Sequence, residues 1–497
     1  MVGYGQNMPA NIAKNTIYLT SASVAQKIFS FIYFTLLARF IGVENTGLYI
    51  TALSFSSLFS VLTDLGLNPV LIREGAKDSQ CLAKVLGNIL SIKLFLVAIA
   101  YGILNLVIYL MGYGAELREL ILISGLIMVL DSFSLSFYGA LRSLQNLRFE
   151  SIGVAGGQLT TVIVGLAVLF FKGGVMWLLL ALASGSLFNA LWGLAALVRS
   201  YSLQPRFFFT PELLKKIICY AAPFALAGIF VKVYSYVDVV MLSKMLGSQY
   251  VGWYGVAAKI TFAFQFIPMA FAASLYPAMS NFFVHDKDRL KATFEKGMLY
   301  LAMLALPIGA GLIAIADIFV VKVYGASYGP SVLPLQIMAT SLIFSFLGFP
   351  IGSLLNACHR QNVQTAAMGS TMVLNIVMNL ILIPRLGIVG SAFAALAGNF
   401  LLMLIGFFWV PKIIIMPDRF FWFNLLKVLV SSAIMGVLVW LAQPILLNYL
   451  QPQGLIKSVA YLGILILFGG AVYAGLLYFW KLINKKDFIL IFRKSAE

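Results

Sequence analysis

The sequence predicts an all-α polytopic membrane protein with about fourteen transmembrane helices. Three observations carry that prediction: too few charges for water, apolar runs of spanning length along the whole chain, and a one-sided distribution of lysine and arginine. Of the 497 residues, 61% are hydrophobic and only 10% charged, and the mean hydropathy is +0.97, whereas soluble proteins carry about 25% charged residues. Lipid is therefore the main solvent. A bilayer crossing takes roughly 20 apolar residues, because each backbone amide must find its partner inside the segment once water is gone.

Taken in order, the spans are bounded by charges and by glycine or proline. The first two, 15–40 and 46–65, are parted near Gly42 and Glu44. The next pairs are 84–111 with 118–144, split at Gly112 and Gly114, and 152–171 with 175–198, split at Lys172 and Gly174. Spans 214–246 and 250–275 meet at Gly247. The charged run from Asp286 to Lys291 precedes 294–316, and 331–356 is divided from 362–383 by His359 and Arg360. Gly387 introduces 388–410, and Pro452 with Gly454 separates 423–447 from 455–480. The stretch after Lys14 is too long for a signal-peptide core and is expected to remain as the first span. Cys81, Cys219 and Cys358 are too scattered for a ligand motif and read as apolar fillers.

The net charge of +17 is not a nucleic-acid signature, because no aromatic-basic module gathers the 34 lysines and arginines. Threaded through fourteen spans, 23 of them fall on the side of the termini and 7 on the other. That asymmetry places both termini in the cytoplasm of a cell (inner) membrane protein. The remaining four, Lys27, Lys93, Lys232 and Lys259, lie inside spans.

An internal duplication is also visible. A shift of 205 residues brings Gly42, Gly47, Tyr49 and Lys27 onto Gly247, Gly252, Tyr254 and Lys232. A shift of 213 brings Gly174 and Gly185 onto Gly387 and Gly398. The expected organisation is a six-helix lobe over 1–210, a second over 211–415, and two further helices with a tail over 416–497. Six spans per repeat make the copies parallel, so that a substrate cleft between them can open alternately to each side.

The run from Ala38 to Tyr49 (ARFIGVENTGLY) resembles the first-loop signature of polysaccharide-export flippases, the Wzx-like branch of the multidrug/oligosaccharidyl-lipid/polysaccharide superfamily. Val251 to Tyr254 with Ala257, Ala258 and Lys259, then Tyr276 to Ser280, and Asn379 to Ala392 (NLILIPRLGIVGSA) are similar to that branch as well. The resemblance covers roughly residues 10–410 and implies two MATE-like six-helix lobes. It implies a flippase that turns a lipid-linked (polyprenyl-pyrophosphate) oligosaccharide from the cytoplasmic to the outer leaflet for O-antigen or other surface polysaccharide. Partner polymerase or assembly proteins, and coupling to a Na+ or H+ gradient without a bound cofactor, belong to the same expectation. Relatives that export drugs with cations or flip the peptidoglycan lipid precursor are the alternatives.

Candidate substrate-binding residues follow from the cost of about 2.5–3.5 kcal/mol for a lysine at the bilayer centre, which favours a watery cavity or an anionic partner. Lys27 and Lys232 occupy matching places in the repeats. Ser23 and Ser30 share the face of Lys27, and Ser235 that of Lys232. Paired ammonium groups suit a pyrophosphate. Lys259 joins them, Asp64 is a candidate buried counter-ion, and Lys93 is expected to snorkel to a cytoplasmic end. Asp238 is turned about 120° from the lysine stripe. With Asn375 and Asn379, four residues apart on one face, it is the candidate for cation coupling. Asp131 stands alone in the fourth span.

An enzyme reading is weaker. Asp286-Lys287-Asp288 resembles the acidic pair of a sugar-nucleotide transferase, but beside Arg289 and Lys291 it reads as a helix cap. His285 and His359 have no metal-ligand spacing. A membrane glycosyltransferase or polymerase would also want a larger loop than any connection here provides.

Overall fold

A computed structural model describes residues 12–78, 81–204, 207–416, 418–450 and 454–482. Those residues are helical almost throughout and hold no strand. The helices are α1 (Ile12–Asp64), α2 (Leu67–Lys77), α3 (Leu82–Leu110), α4 (Ala115–Ser143), α5 (Arg148–Phe170), α6 (Val175–Tyr201), α7 (Pro211–Met245) and α8 (Ser248–Ala263). They continue with α9 (Phe266–His285), α10 (Lys287–Phe319), α11 (Val332–Ala357), α12 (Gln361–Leu386), α13 (Ile388–Trp409), α14 (Arg419–Leu450) and α15 (Leu455–Phe479). Thirteen stretches among the described residues are long and apolar enough to cross a bilayer. The first, Ala22–Asp64, is two spans in one, because Gly42 (φ 78°, ψ 176°) breaks α1 in a conformation that side chains resist. Fourteen candidate crossings result among the described residues, and the chain is a multi-pass membrane protein.

The eighth span joins α8 to α9 and runs from Ser248 to His285. Its break at Phe264 and Gln265 has a local cause, since Pro268 has no N–H to offer the Phe264 carbonyl four residues back. Pro223, Pro307 and Pro350 lie inside α7, α10 and α11.

Packing divides the chain into two compact units, Met1–Gly255 and Val256–Glu497. The division falls later than the repeat boundary near 210. α7, which opens the second repeat by sequence, packs on α1 and α2 and so belongs to the first unit.

Within that unit the duplication has a physical counterpart. Gly42 and Gly247, 205 residues apart, both have positive φ (78° and 99°), and each turns the chain between two helices. A Cβ on Gly47 would come within 1.7 Å of the Ser248 carbonyl oxygen, and one on Gly252 within 2.1 Å of the Val43 oxygen. Val43 and Ser248 are themselves related by the shift of 205. The contact is thus two-fold, each repeat presenting the same glycine to the same carbonyl of the other. Small residues allow this backbone approach where lipid offers no hydrophobic drive to associate.

In the second unit α11 is flanked by α9, α10 and α13, while α14 lies on α10 and α15 on α14. The last two helices are fastened by polar groups. Tyr473 donates its hydroxyl to the Met303 carbonyl (2.9 Å), Gln443 donates to that of Ala314, and Tyr461 donates to that of Gln443 (2.9 Å).

Alanine at Gly47 or Gly252 has no room for its methyl and should destabilise by about 1–3 kcal/mol through overpacking. Gly102→Ala, in a helix position with nothing within 4 Å, should be neutral or mildly stabilising. Thermal unfolding of the purified variants checks this, and equal behaviour of Gly47→Ala and Gly102→Ala would refute the close crossing.

Candidate functional site

The first unit holds both repeat-related lysines. Lys27 is half-buried on α1, between the half-buried Ser23 and Ser30, and Lys232 is half-buried on α7. Below the Lys232 ammonium lies the Tyr236 ring, 5.6 Å to its centroid, a cation–π contact that steadies the charge without occupying its donors. Ser235 is exposed and spends its hydroxyl on the Val231 carbonyl of its own helix (2.7 Å).

The counter-charge comes from α4. Asp131 lies near Ser186 of α6 and within the electrostatic reach of Lys232, with which it makes no ion pair within 4.0 Å. It is exposed although α4 is packed by α1, α2, α3, α5 and α6 and is the most enclosed of the candidate spans. The carboxylate thus stands on α4 near groups carried by α6 and α7. Asp131 was legible in the sequence as a lone intramembrane acid, but its pairing with Lys232 was not, because 101 residues of chain separate them.

Lys93 corrects an expectation. Instead of snorkelling it is wholly buried, 3.0 Å from Asp64 Oδ1 and donating to the Ser132 carbonyl at 2.8 Å. Asp64 also accepts from the Asn68 amide (3.3 Å), so one carboxylate closes α1, opens α2 and holds α3. The ammonium meanwhile grips the residue next to Asp131. Snorkelling fails because α3 buries this face against α1 and α4.

The remaining candidates fall into different surroundings. Asp238 is buried and accepts from the Tyr254 hydroxyl (2.6 Å), away from the Lys232 stripe as the helical angle requires. Lys259 is half-buried in the second unit. There Asn375 and Asn379 share the buried face of α12, with Asn379 Nδ2 donating to Asn375 O (2.9 Å) and Oδ1 (3.2 Å), and Ser391 of α13 donating to Asn379. Sequence reasoning missed Ser391, whose place follows only from the packing of α13 on α12. Asp286 does cap α10, accepting from the Arg289 amide (3.0 Å) and pairing with its guanidinium (3.1 Å), so its sugar-nucleotide resemblance is a helix start. Among the described residues no cluster of three or more His, Cys, Asp or Glu could hold a metal.

Comparison with known proteins identifies the family and the fold. The family model described as polysaccharide biosynthesis protein matches residues 12–283, more than half of the chain. The chain belongs to that family. A second model, MatE, matches 223–381. The chain is 24% identical over 396 residues to the probable low-salt glycan biosynthesis flippase Agl15 of Haloferax volcanii, covering 77% of this chain and 80% of the relative. It is 18% identical to the capsular polysaccharide biosynthesis protein CapF of Staphylococcus aureus, covering 81% and 100%. In fold, this member of the polysaccharide biosynthesis family is similar to the lipid II flippase MurJ in an inward closed conformation. The TM-score is 0.74 at 18% identity, over 94% of this chain and 100% of that one. An inward-facing multidrug MATE transporter of the MOP superfamily follows at TM-score 0.63 and 16% identity, over 80% and 97%.

Removing one partner of a buried ion pair strands the other charge and costs about 3–5 kcal/mol. Asp64→Ala should therefore destabilise the protein by that order, and Asp64→Leu with Lys93→Leu together by clearly less. The unfolding midpoints of the three proteins give the answer; a double variant as unstable as the single would show that the pair is not the source.

Proposed function

We propose that this protein is a flippase, not an enzyme, that turns a glycan-bearing polyprenyl-pyrophosphate lipid from the cytoplasmic to the outer leaflet by alternating access. The observation that carries the reading is the placement of Lys27 and Lys232. Two lysines from equivalent places in the repeats are both half-buried in one unit, the second within electrostatic reach of Asp131. A pyrophosphate needs cations that are accessible from water and held without rigid geometry, which an ammonium provides. Asp131 serves as the resident counter-ion of Lys232 and is displaced when the anionic headgroup arrives, so the empty site never leaves a bare cation in the membrane. Ser23 and Ser30, which flank Lys27 on its helix, complete the set that this unit is proposed to offer to headgroup and sugar.

The names of relatives support the glycan class of cargo, since Agl15 is described as a probable glycan biosynthesis flippase and CapF as a capsular polysaccharide protein. O-antigen is one such product. The excess of cations on one side supports cytoplasmic termini. A cation-coupled drug exporter is the second reading, favoured by the match to the MatE model. Its cargo is cationic, however, and suits lysines poorly.

Binding of an anionic undecaprenyl-type lipid to the purified protein separates the two. Lys27→Ala and Lys232→Ala should each weaken binding about 10- to 100-fold, the worth of a charge-assisted hydrogen bond, and Asp131→Asn should tighten it several-fold by removing the competitor. Unchanged lipid binding together with intact ethidium efflux in the lysine variants would favour drug export. Coupling by Na+ or H+, for which Asp238 in the first unit or, separately, the Asn375–Asn379 pair in the second is proposed, predicts that flipping in proteoliposomes accelerates when either gradient is imposed. A flat response to both would remove the coupling role and leave the cargo reading standing.

A further inference from the structure

We propose that the second unit carries a binding site for the headgroup of an anionic phospholipid, formed by Lys287, Arg360 and Lys412 where three connections gather at one end of its helices. The cations come from the α9–α10, α11–α12 and α13–α14 connections and are drawn together by aromatic faces. Lys412 Nζ lies 3.9 Å from the Trp409 ring centroid and 4.6 Å from that of Phe408. The Arg360 guanidinium lies over the same indole at 5.9 Å. Lys287 Nζ is 3.8 Å from the centroid of Phe283, whose ring meets His359 edge-on at 6.2 Å. Lys287 and Arg360 both act electrostatically on the buried Cys358 thiol, which joins the Phe283 and Trp409 groups into one patch.

The charge of this patch is left uncompensated by its surroundings. Among the described residues no carboxylate lies within 4.0 Å of Lys287, Arg360 or Lys412. The nearby acids are engaged elsewhere: Asp286 with Arg289 at 3.1 Å, Asp418 with Lys291 at 3.1 Å, and Glu295 with Lys291 at 3.8 Å. Asp288 sits in the first turn of α10, where the helix dipole favours it. Aromatic faces soften the repulsion among the three cations and restrict their motion, yet leave their N–H donors open. Cations and tryptophans at a membrane interface ordinarily fix topology. Two cations from different connections sharing one indole, with a third alongside, go beyond that and set several open donors near one another. The helices end in a hydrophobic cluster of Val410, Ile414 and Phe421 against which Trp409 packs, so apolar wall and cationic rim match a lipid's two ends. Basic pockets between membrane helices bind anionic headgroups in this way.

The site stands independently of the cargo proposed above. To test it, the purified full chain is incubated with phosphatidylglycerol or phosphatidylcholine, and retained lipid is counted by native mass spectrometry. Phosphatidylglycerol should be retained preferentially, and Lys287→Gln, Arg360→Gln and Lys412→Gln should each reduce that retention about fivefold, the worth of one cation near an anionic surface. Arg385→Gln, at the other end of α12, should not. Lys412 is exposed, so its variant gives a reading even if the other two fold poorly. Retention unchanged in Lys412→Gln, or reduced equally for both lipids, would overturn the proposal, as would displacement of the lipid by inorganic phosphate alone.

Discussion

Lipid gives apolar helices no reason to prefer each other over acyl chains, so a membrane bundle is held where backbones can come close. The crossing of residues 43–64 with Ser248–Gly255 is such a place, with a glycine hydrogen on each side where any other residue would carry a side chain. α7 runs directly into this crossing through Gly247, and it is thereby brought against α1 and α2. The approach of Lys232 on α7 to Asp131 on α4 is set within the same packing. Because the contact is two-fold, the same few residues serve twice, and a duplicated sequence gives a self-complementary junction.

The lysines of the first unit show how burial separates structural from functional charge. Lys93 is sealed, with a carboxylate and a carbonyl taking two of its three donors, and it acts as a strut joining α1, α3 and α4. Lys232 is half-buried, with a carboxylate that is itself exposed. A sealed pair costs several kcal/mol to open and does not exchange its partner readily, whereas a cation held only by longer-range attraction can. The two lysines are equally intramembrane by sequence, and their different roles arise from what surrounds them.

A recurring device is a cation set on an aromatic face. Lys232 on Tyr236, Lys287 on Phe283 and Lys412 on Trp409 are each partly stabilised by the ring quadrupole while keeping donors for an anion. With 14% aromatic residues, the chain can hold many positive charges near lipid without matching each to an acid. For a protein proposed to handle anionic lipids, that leaves cations available to ligands.

The helical fold, the number of crossings and the duplication were all determined by the sequence, because each depends on local or periodic features: a backbone that must satisfy itself in lipid, apolar runs of spanning length, and glycines at a fixed shift. The intramembrane charges were equally visible, since a lysine or aspartate among apolar residues stands out in any window. Their pairing was decided only by the tertiary structure. Lys93 could reach Asp64 because α3 packs there, Asp131 came within electrostatic reach of Lys232 across 101 residues, and Arg360 and Lys412 came to share Trp409 from two separate connections. Partner choice depends on which helix faces meet, and those faces are selected by side-chain volume and small-residue contacts far apart in the chain, which no local pattern encodes.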